Sequence, residues 1–405
     1  MRSSNYSRAG LNEQIRGLAS QMVAWETEQT PDDGQQDQIR DSIVSFNHAT
    51  AAHQLVIGGV DGSGDFPSLT YSDSFIYVAT ATGTLYQSSP ISGLTELEGP
   101  SANLVEFVWL PEDTVQRMTA LDRSFERIVG RNLRDVIERS DYRKYKSKLT
   151  RRQHDVDKLI AELIRPHASD AGNLGIQLRT LAELSMALKL INGPTKPDIV
   201  LYDSTLSLPM VTRHSISLFQ EHVKRLCCVE ADERDIGFFA LSKSHGLRGT
   251  ETFERLAAES QGLGTSATAE HWLLRIPSMG EPWVLAASEG RNLPPPGAVT
   301  YLFRLHRNVP IMRLDIDEVY WARKVRGADE EETKANERRI FESLDYASHD
   351  QRCYGYPYPI KAGHDRASLT EAERTAFRRM IIDAAVAAGM RRSIFKNASS
   401  ATGHV

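Results

Sequence analysis

The chain has 405 residues, enough to bury a sizeable core and to form two or three domain-sized units. Hydrophobic residues make up 40% and charged residues 25%, which is typical of a globular protein and argues against a disordered or membrane-spanning chain. No apolar run approaches the ~18 residues of a membrane-spanning helix, and the first ten residues lack the apolar core of a secretory signal. We therefore expect a cytoplasmic protein with no membrane contact. The three cysteines show neither a disulfide framework nor a paired metal-ligand spacing.

The net charge of −5 comes from 48 basic and 53 acidic side chains. A nucleic acid would therefore have to bind local basic patches, because the charge of the whole chain does not attract it. The clearest patch spans residues 143–152, with a tyrosine among its lysines and arginines. A solvated helical face would show the same pattern, so the patch leaves both interpretations open.

The first 172 residues divide into three segments. Residues 1–50 have a polar helical pattern, with a turn at residues 30–34 between two helices. Residues 51–112 begin with an apolar strand that ends on Asp61, and the β-branched and aromatic runs after it predict an antiparallel meander. Residues 113–172 are charged and poor in glycine, which predicts a helical insertion.

Residues 173–392 alternate strands with helices, which predicts a mixed sheet covered by helices. A helix at residues 174–191 carries leucines on one face and precedes a strand that ends on Asp203. The later strands are expected at residues 236–242, 272–276, 283–287, 299–305 and 311–314, and the later helices at residues 216–228, 326–343 and 370–388. A loop rich in proline and tyrosine is expected at residues 354–365, and a disordered tail at residues 393–405.

Asp61 and Asp203 share a setting, because each follows an apolar strand at its carboxyl end. Open α/β sheets place their ligand sites at that end, and Gly62 and Gly64 would let a phosphate or a metal approach the backbone. An ordinary Asp-Gly turn explains Asp61 alone equally well. The second aspartate favours the functional interpretation.

Four candidate site residues occur in the following order along the chain: Asp61 on a strand, Glu183 on a helix, Asp203 on a strand and His364 near the last helix. This is the order of the acidic residues in the ribonuclease-H-like fold (the Piwi/Argonaute-like architecture), in which the first strand is central and lies beside the strand of the second aspartate. Converging carboxylates hold two divalent cations roughly 4 Å apart for phosphodiester cleavage. Glu183 could instead be a surface residue paired with a basic side chain, and His364 a packed or solvated loop residue.

The chain resembles the NurA nuclease family in five motifs. They are residues 60–63, residues 199–206, residues 241–243, the strand that bears Arg313 and, most specifically, residues 355–364, which read Gly-Tyr-Pro-Tyr-Pro-Ile-Lys-Ala-Gly-His. The resemblance extends from about residue 50 to residue 390. The second acidic motif departs from the family pattern, because Ser204 occupies the place of a glycine.

The resemblance implies a manganese-dependent DNA nuclease, with magnesium as an alternative metal. It implies a homodimer that works with a HerA-type hexameric ATPase in DNA end processing, or in defence against phage. Asp61 and Asp203 would be metal ligands, Glu183 a third ligand, and His364 either a ligand or a group that helps to protonate the leaving oxygen. Two further residues would bind substrate: Lys243 at the scissile phosphate and Tyr358, stacked on an extruded base.

Two other interpretations remain open at this point. An actin-like ATPase shares the core topology, but it needs a second glycine-rich phosphate loop and an adenosine-binding glycine pair, and neither is found in the sequence. The other possibility is an inactive scaffold that docks on a ring ATPase. The altered motif at Ser204 keeps this scaffold hypothesis open, whereas the intact acidic set argues against it.

Overall fold

The computed structural model describes residues 8–28, 33–48, 54–64, 68–71, 74–89, 93–97, 102–111, 113–139, 171–206, 218–244, 250–264, 267–277 and 297–395. The helices are α1 (Arg8–Glu28), α2 (Asp33–Ser42), α3 (Thr114–Val129), α4 (Leu133–Arg139), α5 (Ala171–Asn192), α6 (Leu218–Glu233), α7 (Thr250–Ser260), α8 (Glu318–Lys324), α9 (Glu330–Ser348), α10 (Tyr358–Ala367) and α11 (Glu371–Ala387). The strands are β1 (Ile43–Ser45), β2 (Val56–Ser63), β3 (Leu69–Tyr71), β4 (Ser74–Ser89), β5 (Gly93–Glu96), β6 (Ala102–Pro111), β7 (Ile199–Tyr202), β8 (Gly237–Ser242), β9 (Trp272–Arg275), β10 (Ala298–Arg304), β11 (Met312–Asp317), β12 (His349–Asp350) and β13 (Cys353–Tyr354).

The described strands form one mixed sheet of eleven strands and a separate small hairpin, β12–β13. The long path through the large sheet runs β1-β9-β10-β11-β8-β7-β2-β4-β3, and β5 and β6 pair with β4. Strand β2 lies between an antiparallel neighbour, β4, and a parallel neighbour, β7, which itself pairs in parallel with β8. The two aspartate-bearing strands are therefore adjacent and run in the same direction.

Helices cover both faces of this sheet, because side chains alternate between the faces along each strand. A Cβ added at Gly58 would meet Leu190 of α5, whereas one at Gly59 would meet the backbone of α10. Helices α5 and α10 therefore pack against opposite faces of β2. The apolar cluster on the first face includes side chains of α3, α4, α5 and α6, and the cluster on the second face includes side chains of α9 and α10.

The far end of the sheet has its own apolar cluster, in which Phe253 and Leu256 of α7 and Ile39 of α2 pack against Trp272. Among the described helices, none combines the length and the apolar character that crossing a membrane requires.

The mixed sheet covered by helices confirms the predicted α/β class. Helix α5 also matches its predicted span closely, and it ends before Gly193 and Pro194, which do not support a helix. Residues 113–139 of the predicted insertion form α3 and α4, whose buried side chains join the cluster around α5. The predicted strand at 283–287, the basic patch at 143–152 and most of the expected tail lie outside the described residues.

Four local predictions are wrong or incomplete. Strand β2 continues beyond Asp61 to Ser63, because it pairs with β4 up to Thr80. Residues 43–45 form an edge strand on β9 instead of extending a helix, since this tertiary pairing outweighs local propensity. Helix α8 was not predicted. Residues 393–395 belong to a 3-10 turn whose Phe395 is buried, so this part of the expected tail is ordered.

The predicted loop at residues 354–365 is largely helical, and His364 lies on α10. Pro357 is the N-cap of this helix and Pro359 is in its first turn. Proline is tolerated in a first turn because the backbone N–H that it lacks would have no partner within the helix there. The same prolines that indicated a loop are therefore compatible with a helix start.

Candidate metal-binding active site

The Asp61 side chain lies on the face of β2 that α10 covers. It is 7% exposed, and its Oδ1 accepts a hydrogen bond of 2.7 Å from the N–H of Gly62. Burial raises the pKa of this carboxyl, and the negative charge of Asp203 raises it further. The hydrogen bonds from Gly62 and His364 lower the pKa, but they offset only part of the rise. The hydrogen bonds and charges that surround Asp61 thus do not fully offset the cost of burying its negative charge.

Helix α10 lies directly on the backbone of β2 and β4. A Cβ at Gly59 would come within 2.4 Å of the N of Ile360, so only glycine allows this approach. Two threonines of β4 hold the ends of the helix: Thr84 Oγ1 donates to the carbonyl of Pro359 at 2.8 Å, and Thr80 Oγ1 to that of Ala367 at 2.7 Å. These contacts fix the position of the helix relative to Asp61.

The fixed helix brings His364 to Asp61, with 3.0 Å between Nδ1 and Oδ2. A proton on Nδ1 makes the imidazole the donor to the carboxylate, and this hydrogen bond orients the ring. The other ring nitrogen, Nε2, lies 3.4 Å from Ser368 Oγ, and the side chain is 51% exposed. His364 therefore has one nitrogen tied to Asp61 and one that solvent or substrate can reach.

Asp203 follows β7 directly, and its Oδ2 accepts a hydrogen bond of 3.1 Å from Lys243 Nζ. The segment after it is fixed by the buried Asp315, which accepts from the N–H of Leu206 at 2.9 Å. Arg313 holds both carboxylate oxygens of Asp315. The turn does not need the family glycine, because Ser204 is not among the residues with a positive φ angle. The altered motif is therefore compatible with the local backbone.

Tyr356 is part of this site, although the sequence did not single it out. Its hydroxyl is buried and makes no hydrogen bond of ordinary geometry among the described residues, although it lies close enough to Asp203 for that carboxylate to act on it as an acceptor. Burial raises its pKa, and the charges of Asp203 and Asp61 raise it further, so the hydroxyl stays protonated at neutral pH. The Lys243 ammonium lies 4.7 Å from the centre of its ring. Tyr356 thus offers a hydrogen-bond donor next to two carboxylates.

Glu183 reaches the same end of β2 from the opposite face of the sheet. It is 4% exposed and pairs with Arg179 one helical turn earlier, at 3.3 Å. A Cβ at Gly62 would lie 2.9 Å from its Cγ, so the absence of a side chain at Gly62 makes room for Glu183. Glu183 therefore contacts the backbone next to Asp61 and comes from the other layer of helices.

The structure brings five of the six predicted site residues to the end of β2 and β7. The sixth, Tyr358, lies in the first turn of α10, where its ring packs against Tyr86. The guanidinium of Arg352 lies 3.6 Å from its ring centre. The ring of Tyr358 is therefore already in contact with a cation. Its proposed role in stacking on a base stays a prediction. Sequence could not separate Tyr356 from Tyr358, because both tyrosines precede a proline.

Asp61 and Asp203 offer donors of the kind that a hard divalent cation prefers, but among the described residues no three of the candidate ligands here have donor atoms within 4.8 Å of one another. Asp61 and Asp203 provide carboxylate oxygens whose negative charges are close enough to raise the pKa of Asp61. Oxygen-rich sites of this kind suit Mg²⁺ and Mn²⁺, and a single imidazole is compatible with Mn²⁺. The Tyr356 hydroxyl, which makes no hydrogen bond of ordinary geometry, also offers a donor that a bound ligand would use.

No protein-family model matches this sequence, and no curated protein resembles it significantly. Among solved structures, the NurA nuclease from Sulfolobus solfataricus has the same fold, with a TM-score of 0.50 at 13% identity, over 95% of this chain and 99% of that chain. NurA bound to dAMP and manganese aligns with a TM-score of 0.40 at 13% identity, over 96% of this chain and 99% of that chain. NurA with manganese aligns with a TM-score of 0.39 at 12% identity, over 94% and 99% of the two chains. The alignment with a TM-score of 0.50 confirms the resemblance to NurA at the level of the fold.

Proposed function

We propose that this protein is a divalent-metal-dependent nuclease that hydrolyses phosphodiester bonds in DNA. One observation carries the proposal: buried Asp61 lies beside Asp203 and in hydrogen-bond contact with His364, at the end of two adjacent parallel strands. A buried carboxylate next to a second one is destabilising without a cation, and such arrangements persist where function needs them. The fold shared with a NurA nuclease supports the same activity.

Asp61 and Asp203 would hold the metal, with Glu183 as a third carboxylate and His364 as a further ligand. Manganese is the proposed metal, and magnesium is an alternative, following the family resemblance of the motifs. A bound cation would act as a Lewis acid that activates the attacking water and stabilises charge on the leaving oxygen. Since Glu183 pairs with Arg179 in the other layer, this role requires its side chain to turn past Gly62.

The other side chains can bind the phosphate and move a proton. Lys243 lies at Asp203 with an exposed side chain, so its ammonium can also contact a phosphate oxygen. Tyr356 keeps its proton and can donate a hydrogen bond to the same group. His364 Nε2 is accessible and can hold a proton for the leaving oxygen while Nδ1 stays bound to Asp61. Tyr358 is proposed to stack on an extruded base.

The strand order supports assignment of the core to the ribonuclease-H-like fold, in its Piwi/Argonaute-like form. The strands β6-β4-β2-β7-β8 place the first aspartate strand in the centre, with a meander on one side and two parallel strands on the other. The family resemblance extends the proposal to a homodimer that acts in the cytoplasm with a HerA-type hexameric ATPase, in DNA end processing or anti-phage defence.

The deciding experiment incubates the purified protein with linear double-stranded and single-stranded DNA, with Mn²⁺, Mg²⁺ or a chelator, in the presence and absence of the partner ATPase. We expect cleavage with Mn²⁺, none with the chelator, and a loss of at least about a hundredfold in the Asp61→Ala variant. A matched control is Asp383→Ala, which removes an exposed aspartate of α11 that pairs with Arg392.

The control variant should cleave DNA like the wild type. If Asp61→Ala retains the wild-type rate in Mn²⁺, the nuclease hypothesis fails. A wild-type protein that binds the ATPase but cleaves neither substrate in either metal would instead support the inactive scaffold.

A further inference from the structure

A group of histidines lies far from the carboxylate site, at the edge of the sheet. His48 follows β1, His271 precedes β9, and Asp345 lies near the end of α9. One donor atom from each of these three side chains lies within 4.8 Å of the other two. His48 and Asp345 are 297 positions apart in the sequence, so the tertiary fold and not a local motif assembles the group.

Asp345 is the centre of the group. Its side chain is 4% exposed, and its two oxygens face different imidazoles: Oδ2 lies 2.7 Å from His48 Nδ1, and Oδ1 lies 3.3 Å from His271 Nε2. The histidines are more accessible, at 31% and 21%. A cation could therefore reach the group from solvent and meet a buried carboxylate behind two imidazoles.

The surroundings hold the imidazoles in place. The ring of His349 lies 4.2 Å from the ring of His48, between centroids. His271 has a φ angle of 56°, which is uncommon for a residue other than glycine, and its carbonyl accepts from the N–H of Phe46 at 2.9 Å. Backbone strain of this kind is maintained only where the surrounding structure imposes it, and it is frequent at ligand sites.

We infer that His48, His271 and Asp345 form a second metal site, which binds Zn²⁺ or a similar first-row transition cation. Two imidazoles and one carboxylate are the donor set of many zinc sites, and three protein ligands leave a position for water. The set differs from the oxygen-rich donors around Asp61, so the two sites prefer different cations. This inference does not depend on the proposed nuclease activity.

The site has a structural consequence. It connects β1, at the N-terminal edge of the sheet, to α9 on the face that α10 also covers. A cation bound there would join these two elements and stabilise the folded chain, because the unfolded chain does not assemble the three ligands.

The test uses the full chain with both Asp61→Asn and Asp203→Asn, which removes the carboxylate site. After treatment with a chelator, Co²⁺ is added as a spectroscopic probe and Zn²⁺ in a separate titration. We expect one equivalent of Co²⁺ with visible ligand-field absorption, displacement by Zn²⁺, and a Tm raised by a few degrees. The further change His48→Gln should weaken binding at least about tenfold.

His306→Gln is the matched control, because this histidine lies at the same end of the sheet but is not one of the three ligands. It should leave Co²⁺ binding unchanged. His48→Gln replaces a partly exposed side chain, so a Tm without metal close to that of its parent shows that it folds. The inference is overturned if the parent binds no Co²⁺ or Zn²⁺, or if folded His48→Gln binds them as the parent does.

Discussion

Asp61 is buried beside a like charge, and that arrangement has a measurable cost. Its pKa is raised in the folded chain by burial and by Asp203, so the folded state favours the protonated carboxyl more than the unfolded state does. The ionised carboxylate therefore lowers stability at pH values above its raised pKa. This penalty disappears as the pH falls below the unfolded pKa of about 4.

Replacing the carboxylate by an amide should accordingly stabilise the metal-free protein. Asp61→Asn keeps an oxygen that can accept from Gly62, and it removes the charge. In a chelator at pH 7 we expect the free energy of unfolding to rise by roughly 1 to 3 kcal/mol, with no difference below pH 4. Denaturant titrations across this pH range measure the effect. A variant that is less stable than wild type at pH 7 would contradict it.

The hydroxyl of Tyr356 should matter for activity and not for folding. Tyr356→Phe removes a buried hydroxyl that makes no hydrogen bond of ordinary geometry, so stability should change by less than about 1 kcal/mol. The rate of DNA cleavage should fall about a hundredfold, because the phosphate loses a donor. The same substitution at Tyr354, an exposed residue two positions earlier, is the control and should have little effect. Equal cleavage rates for the two variants would show that the Tyr356 hydroxyl takes no part in cleavage.

The sequence predicted most of the residues that lie together here, because carboxylates that end apolar strands form a recognisable local pattern. Asp61 and Asp203 were found in this way, and Lys243 follows β8 in the same manner. The sequence did not indicate Tyr356, because its position beside the two carboxylates depends on the orientation of one ring among several tyrosines in a short stretch. The pairing of Glu183 with Arg179 has the i, i+4 spacing that the sequence offered as an alternative role, whereas its approach from the opposite face of the sheet has no sequence signal.

Helix α10 depends on glycine in the strand beneath it. The close approach to β2 requires Gly59, and Gly363 lies against the backbone of Asp61, where an added Cβ would be 3.3 Å from N. Gly59→Ala must displace the helix, because the clashing atoms belong to backbone that cannot rotate away. We expect stability to fall by about 1 to 3 kcal/mol, and DNA cleavage to fall as His364 moves away from Asp61.

Gly83→Ala is the control for this change. Its added Cβ would meet side-chain atoms of Leu190 at 3.3 Å, on the face away from α10, and a leucine side chain can adjust. It should cost less stability than Gly59→Ala and leave cleavage close to wild type. Chemical denaturation and nuclease assays of both variants measure the difference. If the two variants lose activity equally, the activity does not depend on the close approach of α10 that Gly59 allows.

The sequence predicted strands and helices correctly where the hydrophobic pattern agrees with the burial seen in the structure. β7 and β8 are fully or almost fully buried apolar runs, and α5 has leucines at helical spacing. The predictions fail where tertiary contacts determine the structure: β1 is a strand that pairs with β9, and α10 is a helix although prolines occupy its N-cap and its first turn. Such contacts cannot be inferred from a single sequence, because both partners are unknown in advance.

The molecule as a whole combines two candidate metal sites of different chemistry in one sheet. In the sheet order, five strands lie between β2, which bears Asp61, and β1, which precedes His48. No ligand is shared between the sites as described. Stabilisation by two cations that bind separate sites should therefore be additive, since neither cation changes the ligands of the other.

This additivity gives a prediction for thermal unfolding of the complete chain. Mn²⁺ should raise the Tm of the wild type, and Asp203→Asn should abolish that response while the response to Zn²⁺ remains. His48→Gln should have the reverse pattern, and the two cations together should stabilise the wild type by about the sum of their separate effects. Scanning calorimetry with each cation alone and with both measures this. If Asp203→Asn also abolishes the response to Zn²⁺, both cations bind at the carboxylate site and the histidines form only a structural ion pair.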